Sequence, residues 1–82
     1  MKKNFDIKVE VLEVIRVMST RKGELRLQVV KWNDGEPKLE LREYYKDKEE
    51  NLQLGKLKGI SYYELQDIEE NLERIKKLMG AI

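Results

Sequence analysis

Apolar and polar residues alternate from Phe5 to Val11, with Phe5, Ile7, Val9 and Val11 on one side and Asp6, Lys8 and Glu10 on the other. A period of two is the signature of a half-buried β-strand. The phase then slips, because Leu12 and Val14 fall on the even side before Ile15 and Val17 return to the odd one. Val11, Val14, Ile15 and Met18 alone also suit a helix, but the β-branched residues between Val9 and Val17 favour one long strand bent by bulges. Ser19 to Gly23 supplies turn residues. Leu25, Leu27 and Val29 next alternate with Arg26 and Gln28, and a second slip puts Val30 and Trp32 in the opposite phase. The aromatic at the end of this strand therefore turns to the other face.

Asn33-Asp34-Gly35-Glu36-Pro37 predicts a hairpin, with Asp34-Gly35 accommodating positive φ and Pro37 placed at a strand start. Lys38 to Tyr45 forms the third strand, Leu39 and Leu41 inward, Lys38, Glu40 and Arg42 outward. The charged run from Lys46 to Asn51 reads as a solvated loop, and Leu52 to Ile60, with Gly55 and Gly59, as a short irregular fourth strand. Ser61-Tyr62-Tyr63-Glu64 has capping-box spacing and opens a helix that runs to about Met79, with Gly80 as its stop. At least one ring of Tyr62 and Tyr63 is expected to bury against the sheet. Leu65, Ile68, Leu72, Ile75 and Met79 repeat at 3-4 spacing, a seam that Leu78 widens. Such a seam covers the chain's own sheet, and its surplus suits an antiparallel pairing with a second copy across a two-fold axis. The pattern thus predicts an α+β fold, four antiparallel strands followed by one C-terminal helix (ββββα).

The chain has 82 residues, which bounds the expectation to a single small domain spanning residues 1–82. Absence of cysteine and histidine removes disulfides, thiolate nucleophiles, Cys/His zinc sites and the usual neutral-pH base. No cofactor and no enzymatic activity are expected. Glu40 with Glu43, or Glu49 with Glu50, sit among lysines and arginines and read as solvated surface rather than as acid–base pairs. Gly55-Lys56-Leu57-Lys58-Gly59 lacks the spacing of a phosphate loop. No apolar stretch approaches the roughly 20 residues of a membrane span, and none follows Met1-Lys2-Lys3 as a signal peptide requires. The expected location is cytoplasmic in a prokaryote or nuclear in a eukaryote. Net charge is only +1, yet residues 1–61 carry 14 Lys/Arg against 11 Asp/Glu, whereas residues 62–82 carry 3 against 5. Any basic surface belongs to the first three quarters of the chain.

On those strands aromatic and basic residues interleave: Lys31-Trp32, then Lys38, Arg42 and Tyr44-Tyr45, then Lys56 and Lys58. Unstacked bases offer π faces to Trp and Tyr while phosphates need cations, so this pattern fits single-stranded nucleic acid. Each residue also has a plain structural role open to it: Trp32 can cap the core, and either tyrosine can pack beneath the loop.

The run Leu39-Glu40-Leu41-Arg42-Glu43-Tyr44-Tyr45-Lys46-Asp47, a short acidic loop, then Gly55 through Lys58-Gly59-Ile60-Ser61 and a closing helix resembles the transcriptional positive cofactor four family of single-stranded-DNA-binding coactivators. The resemblance covers residues 25 to 79 and rests on an arginine-Glu-aromatic-aromatic strand followed by K-G-I-S, with one extra residue between Gly55 and Lys58. It implies a curved four-stranded sheet, a homodimer formed through the helices at Leu65, Ile68, Leu72, Ile75 and Met79, and single-stranded DNA and the transcription machinery as partners; RNA stays open beside DNA, because no residue identifies a reader of the 2′-hydroxyl. By the resemblance Arg42 corresponds to a DNA-contacting arginine, Tyr45 to a stacking aromatic and Lys58 to the lysine of K-G-I-S. Trp32 stands for the aromatic of the preceding hairpin, with Lys31, Lys38 and Lys56 assisting at phosphates. Glu36 replaces the lysine expected near the hairpin, and strict alternation sets Arg42 and Tyr45 on opposite faces unless the strand bends or Tyr44 stacks instead.

Overall fold

A computed structural model describes residues 8–80 and shows four strands followed by two helices. These are β1 (Val9–Ser19), β2 (Gly23–Trp32), β3 (Lys38–Lys46), β4 (Leu52–Leu57), α1 (Tyr62–Glu70) and α2 (Leu72–Leu78). The strands form one antiparallel sheet in the order β1-β2-β3-β4, each paired with its neighbour in sequence. The fold is α+β. Phe5 and Ile7, with which the first alternation begins, lie outside the described residues.

Both slips predicted in β1 are present, as register shifts between Val11 and Glu13 and between Val14 and Arg16. Each bulge adds one residue and bends the strand. In β2 the phase change has a different cause. The pairing with β3 runs without a break from Gly23 to Val30, and Leu27, Gln28, Val29 and Val30 are all buried. A central strand covered on both faces reads as a continuous apolar run, so no slip is needed.

Register assigns the faces. Leu25, Leu27 and Val29 share one with Leu39 and Leu41, and with Glu13 and Arg16 of β1. The helices lie across this face, where Arg16 pairs with Asp67 at 2.6 Å and Arg74 pairs with Glu13. Ile75, 3% exposed, joins Leu27, Val29 and Leu41 in the core beneath them. The other face carries Arg26, Gln28, Val30 and Trp32 on β2 and Lys38, Glu40, Arg42 and Tyr44 on β3.

The single predicted helix is broken at Asn71, which has φ −118° and ψ 20°. Its side-chain amide donates to the Asp67 carbonyl at 2.8 Å, while its backbone N–H is shared between the carbonyls of Asp67 and Ile68. An asparagine that bonds locally to the backbone competes with the helical ladder, which explains a break the apolar seam does not reveal. The predicted start and stop are both present. Ser61 donates its N–H and its hydroxyl to Glu64 Oε1 at 2.7 and 2.5 Å, and Gly80 ends the helical segment at φ +87°. At the β2–β3 hairpin the positive φ falls one residue earlier than predicted, on Asn33 and Asp34, with Gly35 N–H donating to the Trp32 carbonyl. Both residue types tolerate the left-handed region.

The run after β3 is ordered around Asp47 rather than merely solvated. Its Oδ1 accepts from the N–H groups of Glu49 and Asn51 and its Oδ2 from the Gln53 amide, and these bonds hold its carboxyl below the usual range.

Candidate nucleic-acid interface

The face left free by the helices is organised by a carboxylate. Glu40 sits mid-strand in β3 and accepts from four donors: Arg42 Nε at 2.9 Å, Arg42 Nη2 at 3.2 Å, the Trp32 indole N–H at 3.3 Å and the Gln28 amide at 3.1 Å. Burial pushes its pKa up, but the hydrogen bonds from Arg42, Gln28 and Trp32, with the charge of Arg42, hold it below the ordinary value. The Glu40 and Arg42 side chains are only 8% and 12% exposed. Arg42 also donates Nη1 to the Gly55 carbonyl at 2.7 Å, fastening β3 to β4.

Two cation–π contacts flank this hub. The Arg42 guanidinium lies 4.9 Å from the Trp32 ring centre, and that of Arg26 lies 4.5 Å from the Tyr44 ring. Tyr44 is buried, and its hydroxyl oxygen accepts from the Gln28 amide at 2.8 Å. The chain of contacts Arg26, Tyr44, Gln28, Glu40, Arg42, Trp32 therefore roofs the sheet on the side opposite the helices. Gln28 Oε1, fully enclosed, is the one buried side-chain polar atom without a partner among the described residues.

The predicted binding residues are divided by this geometry. Trp32, Lys38 and Arg42 come together on the helix-free face, Trp32 and Arg42 in direct contact and Lys38 exposed at the start of β3. Lys31 and Tyr45 do not join them, because they register with Glu10 and with Gly23 and Gln53 on the helix-bearing face. The bulge between β3 and β4 adds its extra residue to β4, opposite Glu43, so it leaves the alternation of β3 intact and keeps Arg42 and Tyr45 apart. Tyr44, buried under Arg26, is withdrawn from stacking. Tyr45 is 45% exposed and lines a cleft of about 500 Å³ with Thr20, Lys22, Glu43 and Lys46. That cleft exists because Gly23 lets the β1–β2 turn close on β3, where Lys46 N–H donates to the Lys22 carbonyl at 2.8 Å. Any Cβ on Gly23 would run into the Tyr44 backbone. Lys56 lies in the register shift of β4, and Lys58 just beyond it bonds through its N–H to the Leu41 carbonyl, leaving both side chains at the surface.

The helical seam is likewise split. Ile75 alone is buried and Ile68 is half-buried, whereas Leu65, Leu72 and Met79 are 56%, 41% and 38% exposed. Leu65, Ile68, Glu69 and Leu72 line a shallow apolar groove of about 310 Å³. Tyr62 and Tyr63, expected to bury a ring, instead stand two-thirds exposed with their rings edge-to-face at 6.1 Å. The capping box explains this: Glu64, not a tyrosine, turns inward and is 5% exposed. The Ser61 hydroxyl and N–H hold its carboxyl below the usual range.

Glu40, expected with Glu43 to be solvated surface, is instead enclosed by its donors, and Gln28 is a site residue the pattern did not single out. The signal was present in the even phase of β3, where Glu40 and Arg42 share a face and Gln28 registers directly opposite Glu40. No helix among the described residues is long and apolar enough to cross a membrane, and no three acidic groups among them converge on a metal-sized site. Comparison of the chain with protein-family models, with curated proteins and with solved structures gives no match.

Proposed function

We propose that the protein binds single-stranded nucleic acid, DNA foremost, as a homodimer and with little sequence reading, in transcription or in the handling of strands during replication and repair. The observation that carries this reading is the Trp32–Arg42 cation–π pair on the helix-free face, with exposed Lys38 on the same face. A base stacks on the indole while lysines hold the flanking phosphates, a combination indifferent to base identity. Lys56 and Lys58 extend the cationic surface along the β4 edge, and Tyr45 with Lys22 and Lys46 offers a second ring with cations at the far end of β3. The exposed Leu65, Leu72 and Met79 support pairing of the helices of two copies, since so small a chain covers its apolar surface poorly alone.

The test is fluorescence anisotropy of a labelled oligothymidine against a duplex of equal length at two salt concentrations, with Trp32 emission recorded in parallel. Salt-sensitive preference for the single strand with quenching of Trp32 is the expected result. A ribo-oligomer is run alongside, because stacking and phosphate contacts do not read the 2′-hydroxyl. Absence of binding at low salt overturns the reading. It favours a protein-docking dimer instead, for which the exposed Leu52, Leu54 and Leu57 of the edge strand β4 speak.

A further inference from the structure

Arg42 has five N–H donors. Its Nε and Nη2 form a two-pronged contact with the Glu40 carboxylate, and Nη1 holds the Gly55 carbonyl, so the edge that would clamp a phosphate is already filled by an anion of the same chain. Only two of the five remain. Glu40 is held in place independently of Arg42 by Trp32 and Gln28, which makes it a fixed occupant rather than a wandering surface charge. It also fixes the indole through Nε1, so the stacking ring and the masked cation are set by one carboxylate.

We infer that Glu40 is an internal phosphate mimic that competes with nucleic acid for Arg42 and thereby holds down both the affinity and the salt sensitivity of binding. The inference rests on the nucleic-acid reading above. In the free protein Arg42 acts as a positioning residue over the Trp32 ring. When a strand engages, its phosphate exchanges with Glu40 for the forked edge of the guanidinium, and the released carboxylate keeps its Gln28 contact.

Glu40→Gln keeps the shape and an acceptor oxygen while removing the charge that competes. With no carboxylate to displace and re-hydrate, the Arg42–phosphate contact counts in full as one neutralised phosphate, which steepens the slope of log affinity on log salt by about 0.7 and at 0.1 M salt is about a fivefold gain for oligothymidine. The gain depends on Arg42, so in an Arg42→Ala background the same Glu40→Gln change is expected to leave affinity within about twofold. Circular dichroism and a urea titration establish that each variant is folded. Should Glu40→Gln fail to fold, the wild-type protein answers by NMR, since the Arg42 Nε–H and Trp32 Nε1–H resonances are both expected to move at saturating oligothymidine.

The outcomes are distinct. A gain in Glu40→Gln that vanishes without Arg42 supports the mimic, including the case in which wild type binds too weakly to measure. Wild-type binding that Glu40→Gln does not strengthen overturns the mimic alone, as does a gain that persists without Arg42, which is through-space charge. Unmoved Arg42 and Trp32 resonances at saturation overturn it as well. Failure of both wild type and Glu40→Gln to bind at low salt overturns the mimic and the nucleic-acid reading together.

Discussion

Replacing Trp32 by alanine removes the ring over which the Arg42 guanidinium lies and one of the four donors to Glu40. Base–aromatic stacking contributes about 1–3 kcal/mol per base, and each 1.4 kcal/mol is tenfold in affinity, so Trp32→Ala is expected to weaken oligothymidine binding between about fivefold and about 150-fold. Trp32→Phe separates stacking from the hydrogen bond. It keeps a ring under the guanidinium and loses only the 3.3 Å bond from Nε1 to Glu40, a long contact worth about 1 kcal/mol, below a well-made bond to a charged group. Its affinity is therefore expected within about fivefold of wild type. Anisotropy titrations at fixed salt read both variants, and urea unfolding shows that each is folded at the concentrations used. The salt slope is expected to be unchanged in both, because no phosphate contact is removed. Trp32→Ala binding as tightly as wild type, or losing salt dependence in place of affinity, refutes the placement of the stacking site at this residue.

Three further outcomes are expected. Leu72→Lys, at a position 41% exposed in the single chain, should leave the fold intact and yield a monomer in sedimentation equilibrium; a persisting dimer refutes the helix interface. Ile75→Ala empties the only buried apolar position of the two helices and should cost about 2–5 kcal/mol in urea unfolding, whereas a loss under about 1 kcal/mol would show that the helices hold to the sheet by their ion pairs alone. Glu64 has its folded-state pKa lowered by the Ser61 hydroxyl and N–H, and Glu40 is lowered against its own desolvation by Arg42, Gln28 and Trp32. For both groups the folded state binds fewer protons than the unfolded one, so their stabilisation is fully present above the ordinary carboxylate range and is lost as pH falls through the folded-state values. Urea midpoints should fall from neutral pH into that acid range, and Glu64→Gln should flatten the fall; a midpoint independent of pH refutes this.

What was legible in the sequence was whatever depends on period and on backbone chemistry. The bulges of β1 were visible because β-branched residues crowd a strand whose phase slips twice, and the helix start because Ser61 and Glu64 stand three apart. The stop at Gly80 followed from a residue that tolerates positive φ, as did the hairpin after Trp32, though its positive φ angles fall on Asn33 and Asp34, one residue earlier than Asp34-Gly35 predicts. What escaped is side-chain pairing across strands. Glu40 looked like one more solvated carboxylate because local sequence does not tell which residue of β2 stands opposite; register makes it Gln28, and Trp32, four residues further along β2 on the same face, closes the contact through its indole N–H. Asn71 escaped for a related reason: the apolar seam runs through it unbroken while its own side chain ends the first helix.

The division of the sheet into two unlike faces bears on which partner the free face suits. Beneath the helices the layer is Leu25, Leu27, Val29, Leu39 and Leu41, and the remaining exposed apolar helix residues can be covered by a second copy. On the other side Val30 is fully buried, yet its cover is a polar chain from Arg26 to Trp32, tied by an ion pair that is itself almost wholly enclosed. Replacing such a pair by apolar residues of similar volume is often neutral or stabilising, so stability alone gives little reason to keep a charge hub there. Two guanidinium groups over two aromatic rings, with Arg42 held by a carboxylate at its phosphate-clamping edge, are what the proposed binding of an anionic ligand with flat groups rests on. An apolar protein partner gains nothing from a hub whose bonds are already made within the chain, whereas a phosphate entering at Arg42 supplies the acceptors that Glu40 gives up.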